Sequence, residues 1–259
     1  MLSQRLAFVW PLAVMVGGIV ILLDNFLLIN VDLAPYWPVA LVALGLQLLV
    51  RGDIGLSWQS HTFGITRGSV ETASIEIECG ELDTQLRALR KPGRLIAGQY
   101  TARSRPELTV RNNHATLRMQ RGQTWWLSLA DWDVGLATDL PWDVLMSSYL
   151  GQLEVDLRGL QIERVYVSSG FGGVDLACPL YANGTIFGRS IFGDVRINIP
   201  QGSFARIVTH TQPFGRVRVD STRYHEVEPG IFVCGDGDAD DTLDLDITAS
   251  TVFGAIYIN

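Results

Sequence analysis

Phe171-Gly-Gly-Val-Asp-Leu176, Phe192-Gly-Asp-Val-Arg-Ile197, Phe214-Gly-Arg-Val-Arg-Val219 and Phe253-Gly-Ala-Ile-Tyr-Ile258 are four copies of one phrase, aromatic-Gly-x-apolar-x-apolar. They start 21, 22 and 39 residues apart, and a weaker copy, Leu150-Gly-Gln-Leu-Glu-Val155, stands 21 residues before the first. A recurring period of this length marks stacked supersecondary units. Within the phrase, apolar residues alternate with polar ones, the two-residue period of a strand with one buried face. Four Phe-Gly pairs therefore define the repeat: Phe171 and Gly172, Phe192 and Gly193, Phe214 and Gly215, Phe253 and Gly254. The glycine of each permits a tight bend or a close backbone approach, and each Phe is placed to stack on its counterpart in the next coil, burying an apolar stripe.

Working outward, second strands follow each phrase after turns at Pro179, Asn183-Gly184, Pro200 and Gly202. Ser74-Ile-Glu-Ile-Glu78 and Leu153-Glu-Val-Asp-Leu157 alternate in the same way. No window beyond Val50 has a long amphipathic helical pattern, so residues 55–259 are expected to be one all-β domain, a β-solenoid-like stack with repeats of about 21 residues. The rival is a β-sandwich whose strands share a length; the recurrence of the phrase, not just of the spacing, favours the solenoid. Cys79-Gly-Glu-Leu-Asp-Thr84 is a degraded copy, and Trp125, Trp126 and Trp132, ahead of Leu140-Pro141-Trp142, are expected to start and cap the stack.

The first 54 residues differ in kind. Leu6 to Leu23 is eighteen residues without a charge, enough as a helix to cross a hydrocarbon core of about 30 Å. A second apolar run spans about Leu33 to Val50, and Trp10-Pro11 with Gly18 is echoed by Trp37-Pro38 with Gly45. The expectation is a two-helix transmembrane hairpin over 1–54, set against a cleaved signal peptide, for which the apolar run is long and the cleavage pattern absent. Arg5 and Arg51 flank the runs, whereas the joining loop has Asp24 and Asp32 and no Lys or Arg, which predicts both termini and the β domain on the cytoplasmic side of the plasma membrane.

Signals for chemistry are sparse. The four histidines are scattered, and no HExxH, GxSxG, GxxxxGK[ST] or helix-opening GxGxxG occurs, so no catalytic residue and no cofactor is implied. Asp236, Asp238 and Asp240 take positions 1, 3 and 5 of a calcium loop, but Asp241 stands where its Gly belongs and Ile247 where its bidentate Glu belongs; an acidic turn is the simpler reading of 236–246, and no metal site is predicted. Asn183-Gly-Thr185 is read as a turn rather than a glycosylation site. Cys79, Cys178 and Cys234 are odd in number and in no metal spacing, as expected of reduced thiols.

Arg87 to Arg121 holds nine basic residues, including Arg87, Arg90, Lys91, Arg94, Arg103 and Arg105, against Glu107 alone; from Tyr224 onward there are eight acids and no Lys or Arg. The basic run is either a set of solvated strand faces or a patch for an anionic bilayer or a partner. A net charge of −7 argues against nucleic acid.

Through Trp10-Pro11, Trp37-Pro38, Cys79-Gly-Glu-Leu82, Leu140-Pro-Trp-Asp143 and the Phe-Gly phrases, the chain resembles the LiaF-like group of bacterial membrane proteins. The resemblance covers nearly the whole length and implies a membrane region followed by the β-rich "toastrack" domain. It further implies a non-enzymatic regulator of the cell-envelope stress response that restrains a membrane sensor kinase, with no catalytic residues to carry over. The alternative is a membrane-anchored scaffold that forms homo-oligomers through strand edges at the ends of the stack.

Overall fold

The computed structural model describes residues 60–89, 93–101, 104–121, 131–211, 214–235 and 243–259. All lie in the compact unit Asp53–Asn259. Nineteen strands and no helix are found among them.

The first sheet runs, in spatial order, β1 (Ser60–Thr66), β4 (Arg94–Thr101), β7 (Trp132–Leu136), β3 (Thr84–Ala88), β9 (Leu153–Asp156), β11 (Val174–Ala177), β13 (Val195–Asn198), β19 (Ala255–Ile258) and β15 (Arg216–Val219). The second runs β16 (Tyr224–Glu228), β17 (Ile231–Cys234), β14 (Ala205–Thr211), β18 (Leu245–Phe253), β12 (Ile186–Phe192), β10 (Gln161–Phe171), β8 (Pro141–Ser148), β2 (Thr72–Gly80), β6 (His114–Gln120) and β5 (Glu107–Arg111). From β7 to β15 and from β14 to β6 neighbours are parallel. The antiparallel pairs sit at the margins, where β1 and β4, β5, and the β16–β17 hairpin are added.

Alternation explains the burial. In β18 the pattern is buried at every second residue from Leu245 to Thr251. Parallel register then aligns these positions across the sheet. Leu117, Ile75, Val144, Val165, Ile186, Ile247 and Ile207 form one continuous inner row of the second sheet. Leu86, Val155, Leu176, Ile197 and Ile258 form the answering row of the first. All are at most 2% exposed. A side chain added at Gly188 of β12 would run into Leu176 of β11, so the two inner faces meet directly. The core they close removes apolar surface from water at roughly 25 cal/mol per Å².

Each phrase makes the corner where a strand of the second sheet becomes a strand of the first. Gly172, Gly193 and Gly254 leave no room there for a Cβ, which would overlap the carbonyl oxygens of Gly151, Gly172 and Gly193 respectively. Beside them runs a row of buried hydroxyls: Ser169 Oγ donates to the Gly151 carbonyl (3.3 Å), Ser190 Oγ to Gly172 (2.8 Å) and Thr251 Oγ1 to Gly193 (3.1 Å). Ser148 Oγ reaches Gly80 in the same manner (3.0 Å), so the degraded phrase after Cys79 builds the same corner.

The fourth glycine of the phrase, Gly215, departs from this row, and the expectation of one shared glycine role is corrected there. The nearest atoms to its Cβ would be side-chain carbons rather than a carbonyl: Thr211 Cβ at 3.1 Å and Thr251 Cγ2 at 3.3 Å. The spacing differs at this corner: Gly215 stands four positions after Thr211, whereas Gly193 and Gly254 stand three after Ser190 and Thr251. Trp132 and Trp142 lie fully in the core rather than forming a cap.

The expected architecture is also corrected by these sheets. A two-helix hairpin leading into a regular 21-residue stack is replaced by two large mixed sheets without helices among the described residues. There, no helix is long and apolar enough to cross a membrane; the hairpin expected over 1–54 lies outside the described residues. Nor do the coils follow chain order. β18 and β19 insert between the coil of β12 and β13 and the coil of β14 and β15, because the 39-residue step first spends residues on the β16–β17 hairpin before returning to the vacant slot. Trp125 and Trp126 lie outside the described residues.

Candidate functional site

The aromatic residues of the phrase stack outside the core, not inside it. Parallel register sets identical rings side by side: Phe171 on Phe192 at 4.6 Å, Phe192 on Phe253 at 4.7 Å and Phe253 on Phe214 at 5.2 Å between centroids. The order 171-192-253-214 repeats the inserted coil. These rings are 53, 43, 41 and 71% exposed in that order. The buried stripe is made instead by the Val, Ile and Leu of the phrase. Phe214 is the most exposed and the most loosely stacked of the four, and it precedes Gly215, the glycine whose nearest neighbours are side chains.

The outer face of the second sheet carries the same coil period one strand back. Tyr166 of β10 and Phe187 of β12 are register partners, their rings stacked 4.9 Å apart and nearly parallel, with Leu145 of β8 opposite Tyr166. Next to this apolar row runs a polar one, Ser147, Ser168 and Arg189. Between them and Tyr149, which is 79% exposed, lies a groove of about 680 Å³ lined also by Glu78 and Ile191. Arg121 at its floor is ion-paired with Glu81 and nearly buried. Exposed aromatic rings with hydroxyls and both signs of charge can stack on and hydrogen-bond a partner; contiguous exposed apolar surface of this kind marks interaction sites.

Of the basic run, the described residues have local partners or stand exposed. Arg87 donates to both carboxylate oxygens of Asp133 (3.0 and 2.5 Å) and lines, with Arg94, a groove of about 490 Å³ on the first sheet. Arg105 is exposed, and Arg90, Lys91 and Arg103 lie outside the described residues. Arg118, from the same run, pairs with Glu76 at 2.7 Å, and this carboxylate raises the pKa of its guanidinium. Asp236 to Asp241 lie outside the described residues, whereas Asp244 accepts from the Phe204 backbone N–H (2.8 Å) and Asp246 from the Thr185 hydroxyl (3.4 Å), structural uses both. His114 sits between the Thr72 and Ser74 hydroxyls.

The three cysteines are free and buried. Burial pushes the Cys79 and Cys178 thiols up to about 12, so neither offers a thiolate near neutral pH. Among the described residues no group of three or more His, Cys, Asp or Glu is placed to hold a metal ion. Sequence reasoning missed Tyr149, Tyr166, Phe187 and the hydroxyls of Ser148, Ser169, Ser190 and Thr251. A signal for them existed: Tyr166 and Phe187 stand one 21-residue step apart, and each hydroxyl stands three residues before its corner glycine.

No protein-family model and no curated protein matches the chain. Among solved structures, it is similar to a "putative cell adhesion protein" from Clostridium sporogenes ATCC 15579, with TM-score 0.67 and 17% identity, over 77% of this chain and 98% of that one. It is matched also to a "putative adhesin" from Bacteroides fragilis NCTC 9343, at TM-score 0.32 and 9% identity, over 78% of this chain and 98% of that one, a likeness too slight to carry an argument. The first likeness shows a shared β-rich fold.

Proposed function

We propose that this chain is a non-enzymatic interaction protein that works by binding at the cytoplasmic face of the bacterial plasma membrane, as a regulator that restrains a sensor kinase of the envelope-stress response. The observation that carries the binding role is the exposed aromatic surface: four stacked phenylalanines at the corner row and Tyr149 and Tyr166 lining a polar groove, with half-buried Phe187 stacked on Tyr166. Large rings held rigid by stacking lose little entropy on binding and are the residue types that dominate interface energetics. The charge-free stretch from Leu6 to Leu23 supports a membrane location, and three unpaired buried thiols suit a reducing compartment. The resemblance to LiaF-like proteins supplies the kinase.

The test is complementation. In cells lacking the chain, wild type should return an envelope-stress reporter to its low resting level, while Tyr149→Ala combined with Phe171→Ala should leave it high at equal protein abundance and near-equal melting temperature. Full restoration by the double variant refutes the reading. The second reading, a self-assembling scaffold, is favoured by the margins of both sheets, β1 and β15, β5 and β16, each of which has a strand on one side only among the described residues. It requires particle mass to grow with concentration in light scattering. The adhesion name borne by the Clostridium protein fits either reading, since both act through surfaces.

A further inference from the structure

We infer that the open edge of β15 is a docking site for an extended strand of a partner protein in which apolar and acidic residues alternate. This rests on the reading of the chain as a binding protein but uses a surface apart from the outer aromatic groove.

The two sheets end unevenly. Beyond β14 the second sheet continues for two more strands, the β17 and β16 hairpin, whereas the first sheet stops at β15, which pairs with β19 alone among the described residues. The inner row is consequently left uncovered at one place. Val195, Ile197, Ile256 and Ile258 are fully buried, but the partners of the last two in β15, Val217 and Val219, are only partly so. A groove of about 650 Å³ follows this step, lined by Val217 on one side and by Thr209, Glu226, Pro229 and Phe232 on the other. The Arg216 N–H bonds to the Gly254 carbonyl (3.1 Å) and the Asp220 N–H to Ile258 (3.4 Å), so the intervening backbone groups of Val217 and Val219 point away from β19, towards the vacant position. An unpaired edge with a half-covered apolar slot is the setting in which peptides add as a strand, backbone giving affinity and alternate side chains specificity.

The charges select the occupant. Arg216 and Arg218 are exposed. The Arg218 guanidinium lies 5.6 Å from the Tyr257 ring centroid, as does Arg196 from the same ring, and no carboxylate forms an ion pair with Arg216 or Arg218 among the described residues. Elsewhere in that row an acid does stand beside the arginine: Asp175 of β11 is the register partner of Arg196. A strand continuing the stack therefore needs Val- or Leu-like residues over Val217 and Val219 and an acid opposite Arg218. A second copy of β15 would instead bring arginine against arginine, which destabilises directly opposed pairs.

Residues 169–177, Ser-Gly-Phe-Gly-Gly-Val-Asp-Leu-Ala, have this pattern in the right register and serve as the probe. A labelled peptide of that sequence is titrated with the full chain by fluorescence anisotropy. Saturable binding is expected, weakened about 10-fold when the peptide aspartate becomes lysine, with the preference reversed by Arg218→Glu in the protein. Val217→Pro removes a backbone donor that points away from β19, so it should abolish binding while leaving melting unchanged. The Tyr149→Ala and Phe171→Ala variant should bind the peptide as wild type does, which separates this site from the outer groove. No saturable binding up to millimolar protein, equal binding of both peptides, or undiminished binding by Val217→Pro overturns the inference. Mass growth with concentration that Val217→Pro removes would also overturn it, by assigning the edge to a second copy.

Discussion

Replacing Gly193 by Ala tests the corner that carries a coil from one sheet to the other. The added Cβ would overlap the carbonyl oxygen and carbon of Gly172 and come within 2.9 Å of Ser190 Oγ. The obstacle is backbone, so it cannot rotate away. Relief requires the corner to open, at about 1–3 kcal/mol for overpacking a close-packed site. Opening it also disturbs the bond from Ser190 Oγ to that carbonyl, and leaving buried polar groups unpaired adds about 1–3 kcal/mol. The sum, about 2–6 kcal/mol, is a large share of the stability of an ordinary domain and should lower the melting temperature by roughly 5–20 °C at this size. Gly173, outside the row, is the control, because a Cβ there would meet only the Asp194 carbonyl at 3.5 Å, an ordinary contact. Gly173→Ala should be neutral or slightly stabilising through the unfolded chain. Urea unfolding of wild type and both variants, followed by far-ultraviolet circular dichroism, gives the comparison. Equal stabilities for Gly193→Ala and wild type, or equal damage from Gly173→Ala, would refute the corner argument.

Gly215→Ala should cost less than Gly193→Ala by urea midpoint, because its nearest neighbours, at 3.1–3.3 Å, need give only slightly, whereas the Gly172 carbonyl is overlapped outright. Phe253 touches two rings and Phe171 one, so Phe253→Ala should cost about 0.5–1.5 kcal/mol more than Phe171→Ala in the same assay. Trp142 Nε1 donates to the buried Ala137 carbonyl at 2.8 Å, whereas Trp132 Nε1 has no partner among the described residues; Trp142→Phe should therefore cost about 1–3 kcal/mol and Trp132→Phe less. Burial raises the Cys79 and Cys178 thiols from 9.0 to about 12, so above pH 9 the unfolded chain loses protons that the folded one keeps. Stability conferred at lower pH should then fall as pH rises from 9 towards 12, seen as a lower urea midpoint at pH 10 than at pH 8 and less of a fall in Cys79→Ala.

Alternation and the recurring phrase made strands, coil period and the need for glycine at 172, 193 and 254 legible, because each follows from local chain geometry. The order of coils did not, since Val195, Ile256 and Val217 present nearly the same apolar surface to a neighbour and any sequence of them would satisfy the inner row. Local pattern also misplaced the phenylalanines. The alternation that buries Val195 and Ile197 is broken at the corner, where Ile191 and Phe192 are both exposed, and a hydrophobic ring at a bend reads as core unless the bend itself is known. Part of the candidate surface was recoverable from the period: Phe187 is Tyr166 moved on by one coil. Arg87 and Arg118 looked like a basic flank because their partners, Asp133 and Glu76, are distant in sequence and become neighbours through strand pairing.

The placement of β18 and β19 between earlier coils has a consequence for how the molecule is made. A stack whose coils followed chain order could grow from one end, each coil settling on the last as it emerged. Here the coil ending at Asn198 and the coil beginning at Ala205 stand one strand-width apart on both sheets, and residues 245–258, later in the chain than either, fill the space. A polypeptide lacking those residues would lose the strands that join the two coils, since among the described residues β13 pairs with β19 and not with β15, and β12 with β18 and not with β14. Residues 245–258 are thus an interior wedge, and their fit bears directly on the coil to either side.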